Sequence, residues 1–557
     1  MKTQFKITAI LAFVFSSATI SYAQEQIKGA VKTTFLREGK EQAEPIVGAN
    51  VYWDGTTSGV ATNANGAFNL GITVKLPHKL IISYVGFISD TILVQNPQQP
   101  IKSFLKETRE LGEVTVKGRA AGAHYSKVDP ILTNVVSEKE LQKAACCNLS
   151  EAFETNPSVD VSYSDAVTGA KQIQLLGLAG TYSQMLAENM PTLRGLGMPF
   201  GMSFIPGPWM ESIQVSKGTS SVVNGFDAIT GQINVELKKP ENSERIGLNL
   251  YINSFGRAEN SLILSKTLNY KWSTILMTHV EYLGNKIDHN HDSFLDHPLI
   301  KKYHITNRYH YLLPGVMESQ FGFRFMQEQR EGGQVGYFGN NSQNYYGLAV
   351  NTNRFEATAR TGFFFQNQPE GSVGTQVNYI YHEHDAFYGA NQYKGKQNTV
   401  YVNIIYENII KTKDHKINAG ISNVHDSYNE TFSAIDNSHK DIIPGLFGQY
   451  TFHLLEKHTG IIGMRGDWHN EHGLFFTPRL HLKSDIFERT TLRGSIGKGY
   501  RLPNLLAENT GLMVSNRQFI VQEEIKPEEA WNYGGSIMQT FVLFGNEATL
   551  TDRKSVV

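Results

Sequence analysis

Five of the chain's 12 methionines, Met185, Met190, Met198, Met202 and Met210, fall within one short stretch. Thioethers are soft ligands that suit Cu(I), and they also pack well against apolar rings, so the stretch reads as a soft-metal site or as adaptable loop packing. The chain's two cysteines, Cys146 and Cys147, are adjacent. Side by side they chelate one ion only with backbone distortion, which leaves metal relay, redox chemistry, inert packing or a strained vicinal disulfide open. His382-Glu383-His384 lies in an alternating segment whose Gln376 and Asn378 share the histidines' phase, so both imidazoles point to one side with Cα atoms about 7 Å apart. Such a pair could pass a metal or metal chelate, or form part of a solvated polar wall. Asp288, Asn290, Asp292 and Asp296 place oxygen ligands at spacings like the start of a calcium loop, without the glycine and terminal glutamate of an EF-hand. Bound Ca²⁺ there would stiffen a hairpin loop, with His289, His291 and His297 making a transition metal the rival.

The elements that must hold these residues are short strands. Ile246, Leu248, Leu250 and Ile252 alternate with Gly247, Asn249, Tyr251 and Asn253. The same period of two runs from Val373 to Tyr381 and from Val400 to Glu407. Segments of this kind, apolar outward and polar inward, are the signature of a membrane β-barrel. A mean hydropathy of −0.29 is compatible with that reading, because lipid-facing and lumen-facing residues average out. Upstream, Ser137-Glu138-Lys139-Glu140 and Asn148-Leu149-Ser150-Glu151 fit capping boxes, predicting two short helices that end before Pro157. Strands are expected at Ile213–Val215 and Ile233–Leu237. Further upstream, Pro45–Val51, Thr57–Phe68 and Leu80–Phe87 read as strands between Asn/Gly turns.

Lys2 and Lys6, an apolar run from Ile7 to Phe15 and Ser21-Tyr22-Ala23 form a signal-peptide pattern. A net charge of −1 gives no footprint for nucleic acid. There is no G-x-x-x-x-G-K-[ST] run for a nucleotide.

Met210–Gly225 followed by Gly231–Leu237, with its Lys217-Gly218 turn, Asn224-Gly225 step and Gly231-Gln232-Ile233-Asn234 strand, resembles the end of the plug of TonB-dependent outer-membrane receptors. Asn156-Pro157-Ser158-Val159, Phe476–Leu480, Arg493–Asn504 and Pro527–Tyr533 resemble further motifs of these receptors. Ile173–Leu178 sits where many members have an I-x-I-R-G strand, so the resemblance implies a strand there. Two positions depart from the family pattern: Leu176 stands where an arginine is common, and Glu188-Asn189-Met190-Pro191 replaces a D-G-x-P turn. The first mature unit resembles the carboxypeptidase regulatory-like β-sandwich of Bacteroidetes-type members.

The resemblance implies a mainly β chain. It comprises a signal peptide (1–23), a β-sandwich (24–106), a TonB box and linker (107–120), an α/β plug (121–239) and a transmembrane antiparallel β-barrel (240–557). By resemblance, Glu113, Val114, Thr115 and Val116 form the TonB box, gripped by a TonB-ExbB-ExbD-type energy-coupling complex. The implied function is active transport of a scarce nutrient, most readily a ferric siderophore or another metal or metal chelate, copper included. The alternatives are glycan import of the SusC type and a surface-binding or adhesion role. Outer-membrane lipid is an expected partner, no enzymatic activity is expected and no cofactor is required. The 317 residues from Glu241 to Val557 supply about 16 strands, against about 22 in plugged transporters. With Asp552–Val557 breaking the strand pattern, the barrel is expected to be incomplete and its reading frame cut short.

Overall fold

The computed structural model describes residues 26–557, apart from 38–39, 57, 85–86, 108–122, 127–128, 144–146, 155, 157, 166, 340–341, 367, 456, 516–519, 524 and 544–545. The signal-peptide pattern, the TonB box Glu113–Val116 and Cys146 lie outside the described residues. The chain forms two compact units, 1–117 and 118–557.

The first unit is a sandwich of two small sheets. One contains Gln26–Arg37, paired with Lys40–Pro45, Ala67–Gly71 and Ile101–Phe104; the other runs Gly59–Ala61, Asn50–Trp53, His78–Ser83, Asp90–Val94. Alternation decides the faces: Leu80 and Ile82 of His78–Ser83 are fully buried with Ile27, Val31, Val51 and Trp53. The segment expected as one strand over 57–68 is two, separated by a turn in which the Asn63 side chain caps the amides of Asn65 and Ala67.

In the second unit, residues 123–237 build a six-stranded sheet in the order Ala123–Tyr125, Thr133–Ser137, Met210–Lys217, Gly231–Leu237, Ser183–Ala187, Met190–Pro191. The turn after Lys217 needs Gly218 in the left-handed region (φ +83°). A Cβ on Gly231 would run into the Ser216 carbonyl, so only glycine lets the next strand pass. The predicted helices are Glu138–Lys143 and Leu149–Ala152. Asn148 caps the second one, accepting from the Ser150 and Glu151 amides, while Glu151 reaches back to the Cys147 amide. The strand expected over 173–178 is broken. Leu176 (φ 56°) and Gly177 (φ 79°) turn it back, leaving Lys171–Leu175 and Leu178–Ala179 as a hairpin.

Around this plug curls a 16-stranded antiparallel sheet, running in sequence order from Ile246–Ile252 to Asn546–Val556, with the short arm Ile435–Asp436 added beside His415–Phe432. Asp552–Val556, expected to break the pattern, instead continue the last strand, paired with Tyr533–Ile537. Main-chain pairing there does not depend on side-chain alternation. The first and last strands of the path each have one neighbour among the described residues. Residues of one phase are exposed and apolar, as at Ile246, Leu248, Val377, Val400 and Ile404; those of the other phase are buried against the plug, as at Asn378, His382, Tyr401 and Asn403. One rim carries the long connections 284–298, 334–346 and 502–527; the other has tight turns such as 314–316 and 488–489.

Candidate functional site

At the long-connection rim a cavity of about 390 Å³ opens between the plug segment 181–198 and the ends of the barrel strands. The plug supplies Met185, Arg194, Met198 and Asp227; the barrel and its loops supply Tyr428, His439, Asp441, Glu471, His472 and Arg501. Arg194 Nε lies 3.3 Å from Asp426 Oδ2, tying the plug loop to the wall. Burial lifts the Asp227 carboxyl above its ordinary value, with Arg194 pulling it back in part.

Three imidazoles gather around Asp441. His469 Nδ1 accepts from the amides of Glu471 and His472 (3.0 and 3.2 Å), which leaves Nε2 carrying the proton and facing Asp441 Oδ1 at 3.3 Å. The His472 ring lies 4.6 Å from that of His469, and His439 stacks on Tyr428 at 4.5 Å. His439 and Asp441 share one strand, His469 ends the next and His472 stands in the connection after it, so linear spacing shows only the pieces His439-Lys440-Asp441 and His469-Asn470-Glu471-His472 and not their meeting.

The five methionines do not converge. Met185 and Met198 line this cavity, Met185 from within the main core and Met198 packed against it. Met190 packs instead with Phe226, Tyr401, Phe475 and Tyr500, while Met202 and Met210 belong to the main core. His382 and His384 do point inward, as their phase predicts, yet they meet the plug rather than open lumen. His384 stacks on Phe200 (5.4 Å between ring centroids) and His382 packs on Phe204 (5.9 Å). Neither is a solvated wall: they are 3% and 0% exposed. Cys147 is buried, and that burial, reinforced by Glu259 and Glu151, pushes its thiol well above the ordinary range, away from the thiolate that a soft metal needs.

The loop expected to hold Ca²⁺ turns its oxygens on itself. Asp288 Oδ2 accepts from Ser293 N, Asn290 Oδ1 from Asp292 N, Asp292 Oδ1 from Phe294 N, and Asp296 Oδ2 from both the amide and the ring of His289. Among the described residues no group of three or more His, Cys, Asp or Glu is placed to hold a metal ion.

The plug is gripped mainly through its main chain. Arg330 donates to the Thr168 carbonyl (3.2 Å), Lys302 to Ser203 (3.1 Å), Arg354 to Thr192 (2.6 Å), Arg308 to Lys238 (2.9 Å) and Arg360 to Glu188 (3.0 Å). Arg465 and Arg479 do the same for Val222 and Ser221 on the opposite wall. Between these cations stand barrel carboxylates: Glu328 and Glu281 beside Lys302, and Glu356 between Arg354 and Arg324. Buried charges so paired avoid the cost of isolated ones. Glu188 is a plug carboxylate that joins this network, facing Arg308 (3.1 Å) and Arg360. Burial alone would raise that carboxyl; the two guanidiniums and the Leu237 amide more than offset it and hold it below the ordinary carboxylate range.

Residues 219–550 match the family model for the TonB-dependent receptor-like β-barrel, 129–232 the TonB-dependent receptor plug domain, and 37–116 a CarboxypepD_reg-like domain. The chain is 28% identical over 255 residues to the TonB-dependent receptor SusC of Bacteroides thetaiotaomicron, covering 43% of this chain and 24% of that one. It is 21% identical over 453 residues to the iron-regulated outer membrane virulence protein of Vibrio cholerae, covering 78% and 67%. Its fold is similar to that of Pseudomonas aeruginosa FpvA bound to a heterologous pyoverdine and iron (TM-score 0.61, 13% identity, 77% of this chain and 63% of that one). It is also similar to the siderophore receptor PirA of Acinetobacter baumannii (TM-score 0.61, 14% identity, 76% and 70%).

Proposed function

The chain belongs to the TonB-dependent receptors, and on that premise we propose that it draws a scarce nutrient across an outer membrane, energised from the periplasmic side. In this reading the rim with long connections faces outward and the tight turns face the periplasm, the usual polarity of such barrels. Cargo enters the cavity of about 390 Å³ between plug and rim, and its binding shifts the population of conformers that present Glu113–Val116 to the periplasm. A TonB-ExbB-ExbD-type complex grips that segment and pulls on the plug.

We infer a metal chelate as cargo, a ferric siderophore or a chelate of another metal. The observation that carries this is the lining of the cavity, where the thioethers of Met185 and Met198 share one space with His439, His472 and the charges of Arg194, Asp441 and Arg501. The likeness to receptors described as iron-regulated or siderophore-binding supports the same cargo. A second reading, glycan import, is favoured by the identity to SusC. A knockout and its complemented strain, grown with iron, copper, cobalamin or glycan limiting in turn, separate the two. A metal-specific growth and accumulation defect supports chelate import, whereas a defect on glycan alone with metals unchanged sinks it.

A further inference from the structure

The plug turn at Glu188-Asn189 holds two successive left-handed residues, with φ of 56° and 60°, between the paired strands Ser183–Ala187 and Met190–Pro191. Such two-residue turns favour Asn and Gly; a glutamate in the first position is out of place on local grounds. A residue held against its own preference points to a role for its side chain. That side chain runs directly to Arg308 and Arg360.

Beside the ion pair lies a small cavity of about 40 Å³, room for one or two waters. Arg308, Arg324, Arg360, Gln320, Thr306 and Thr358 are on its barrel side. Arg324 Nη1 lies 3.2 Å from Glu356 Oε2 of the neighbouring strand, and its Nε is buried with no hydrogen-bond partner among the described residues. Three guanidiniums thus face two carboxylates, Glu188 and Glu356. Only one of those carboxylates belongs to the barrel, and it is shared with Arg354. When the plug turn leaves, Glu188 leaves with it, and the wall keeps three arginines against one carboxylate, Glu356, around a space lined by Thr306, Thr358, Gln320, Phe321 and Phe323.

We propose that Arg308, Arg324 and Arg360 form a transit station for carboxylate oxyanions, and that Glu188 is a tethered stand-in occupying the place of the cargo's own carboxylate until the plug moves. The inference rests on the uptake reading above and narrows its cargo to an anionic, carboxylate-bearing chelate, since a bare metal cation would be repelled by the same wall. Arg360 holds Glu188 by one carboxylate oxygen and by its main-chain carbonyl; once the turn is gone both of its N–H groups are free for the two oxygens of a single carboxylate, the fork that arginine favours.

The test is calorimetric titration of acetate and, separately, inorganic phosphate into the full chain in detergent micelles. E188G, which the left-handed turn accommodates, empties the place of the carboxylate and should bind acetate about tenfold more tightly than the wild type, the scale of one charge-assisted hydrogen bond, and E188G/R360Q should lose that gain. Unchanged acetate affinity in E188G, or a gain that survives R360Q, overturns the station. A gain for phosphate without one for acetate overturns the carboxylate class. A second variant, R324Q, leaves the plug-carbonyl anchors in place, should E188G fold poorly. It should cut energy-dependent uptake of ferric citrate several-fold while sparing a neutral ferric trihydroxamate, and an equal fall in both counts against the proposal. If wild-type cells import neither chelate, both are excluded as cargo and the growth comparison above still decides the uptake reading, while the titration decides the station.

Discussion

Arg354 Nη2 donates to the Thr192 carbonyl at 2.6 Å, and the same guanidinium donates through Nε to Glu356 at 2.6 Å. One barrel side chain thus anchors the plug and neutralises its own wall. Arg354→Met removes both functions but leaves Glu356 facing Arg324. Breaking a buried pair from one side costs about 3 kcal/mol at the low end. The expected outcome is a lower melting temperature in micelles together with faster amide exchange in residues 190–198.

Acid should loosen the plug through Glu188. Its folded-state pKa is depressed, so its stabilisation is fully present above the unfolded carboxyl pKa of about 4.3 and is lost as pH falls through the lower folded value. Thermal stability attributable to this group should be flat from neutrality to about pH 5 and decline below it. In E188Q that portion of the acid decline should vanish; an identical decline in both proteins would show that other carboxylates carry it.

His384→Phe distinguishes packing from metal transfer. The ring keeps its stack on Phe200 and gives up a 3.2 Å bond to Thr352, while an Nε2 with no hydrogen-bond partner among the described residues is removed. These effects nearly cancel, leaving a change within about 1 kcal/mol. Stability and metal accumulation should both stay near wild type; a selective loss of accumulation would assign the histidine to the cargo path.

The methionines should divide by position. Met185→Leu and Met198→Leu change the lining of the large cavity and should weaken capture of a soft-metal chelate. Met210→Leu alters the core, where a volume-conserving swap costs less than about 1.5 kcal/mol and should leave capture unchanged. Equal effects at all three sites would deny any role to the cavity sulfurs.

Deleting residues 113–116 should abolish energised uptake and leave cargo binding at the cell surface intact. Uptake that survives the deletion would end the energised mechanism.

The fold was legible because a strand's phase is written in its residues. Leu248 and Leu250 face outward, Asn378 and His382 inward, and the Asn148 cap was visible from the Ser and Glu that follow it. The site was less so. Met185 and Met198 line the cavity, but Met190, Met202 and Met210 were drawn into apolar packing that their spacing could not reveal. His439, Asp441, His469 and His472 meet only because the strands His439–Leu454 and His458–His469 end at one rim. Arg308, Arg354 and Arg360 had a readable inward phase, yet their partners are carbonyl groups, which every residue carries and no sequence pattern marks.

That last property sets how freely this receptor can change. An anchor that recognises main-chain oxygen reads no side chain at Thr168, Thr192 or Val222; these three are limited only by the room around them, since all are buried. Descendants of this gene can therefore rewrite the cargo-facing surface of the plug by ordinary point mutation without losing its seat in the barrel. Glu188 is the exception: a lineage that alters it must retune two arginines at the same time.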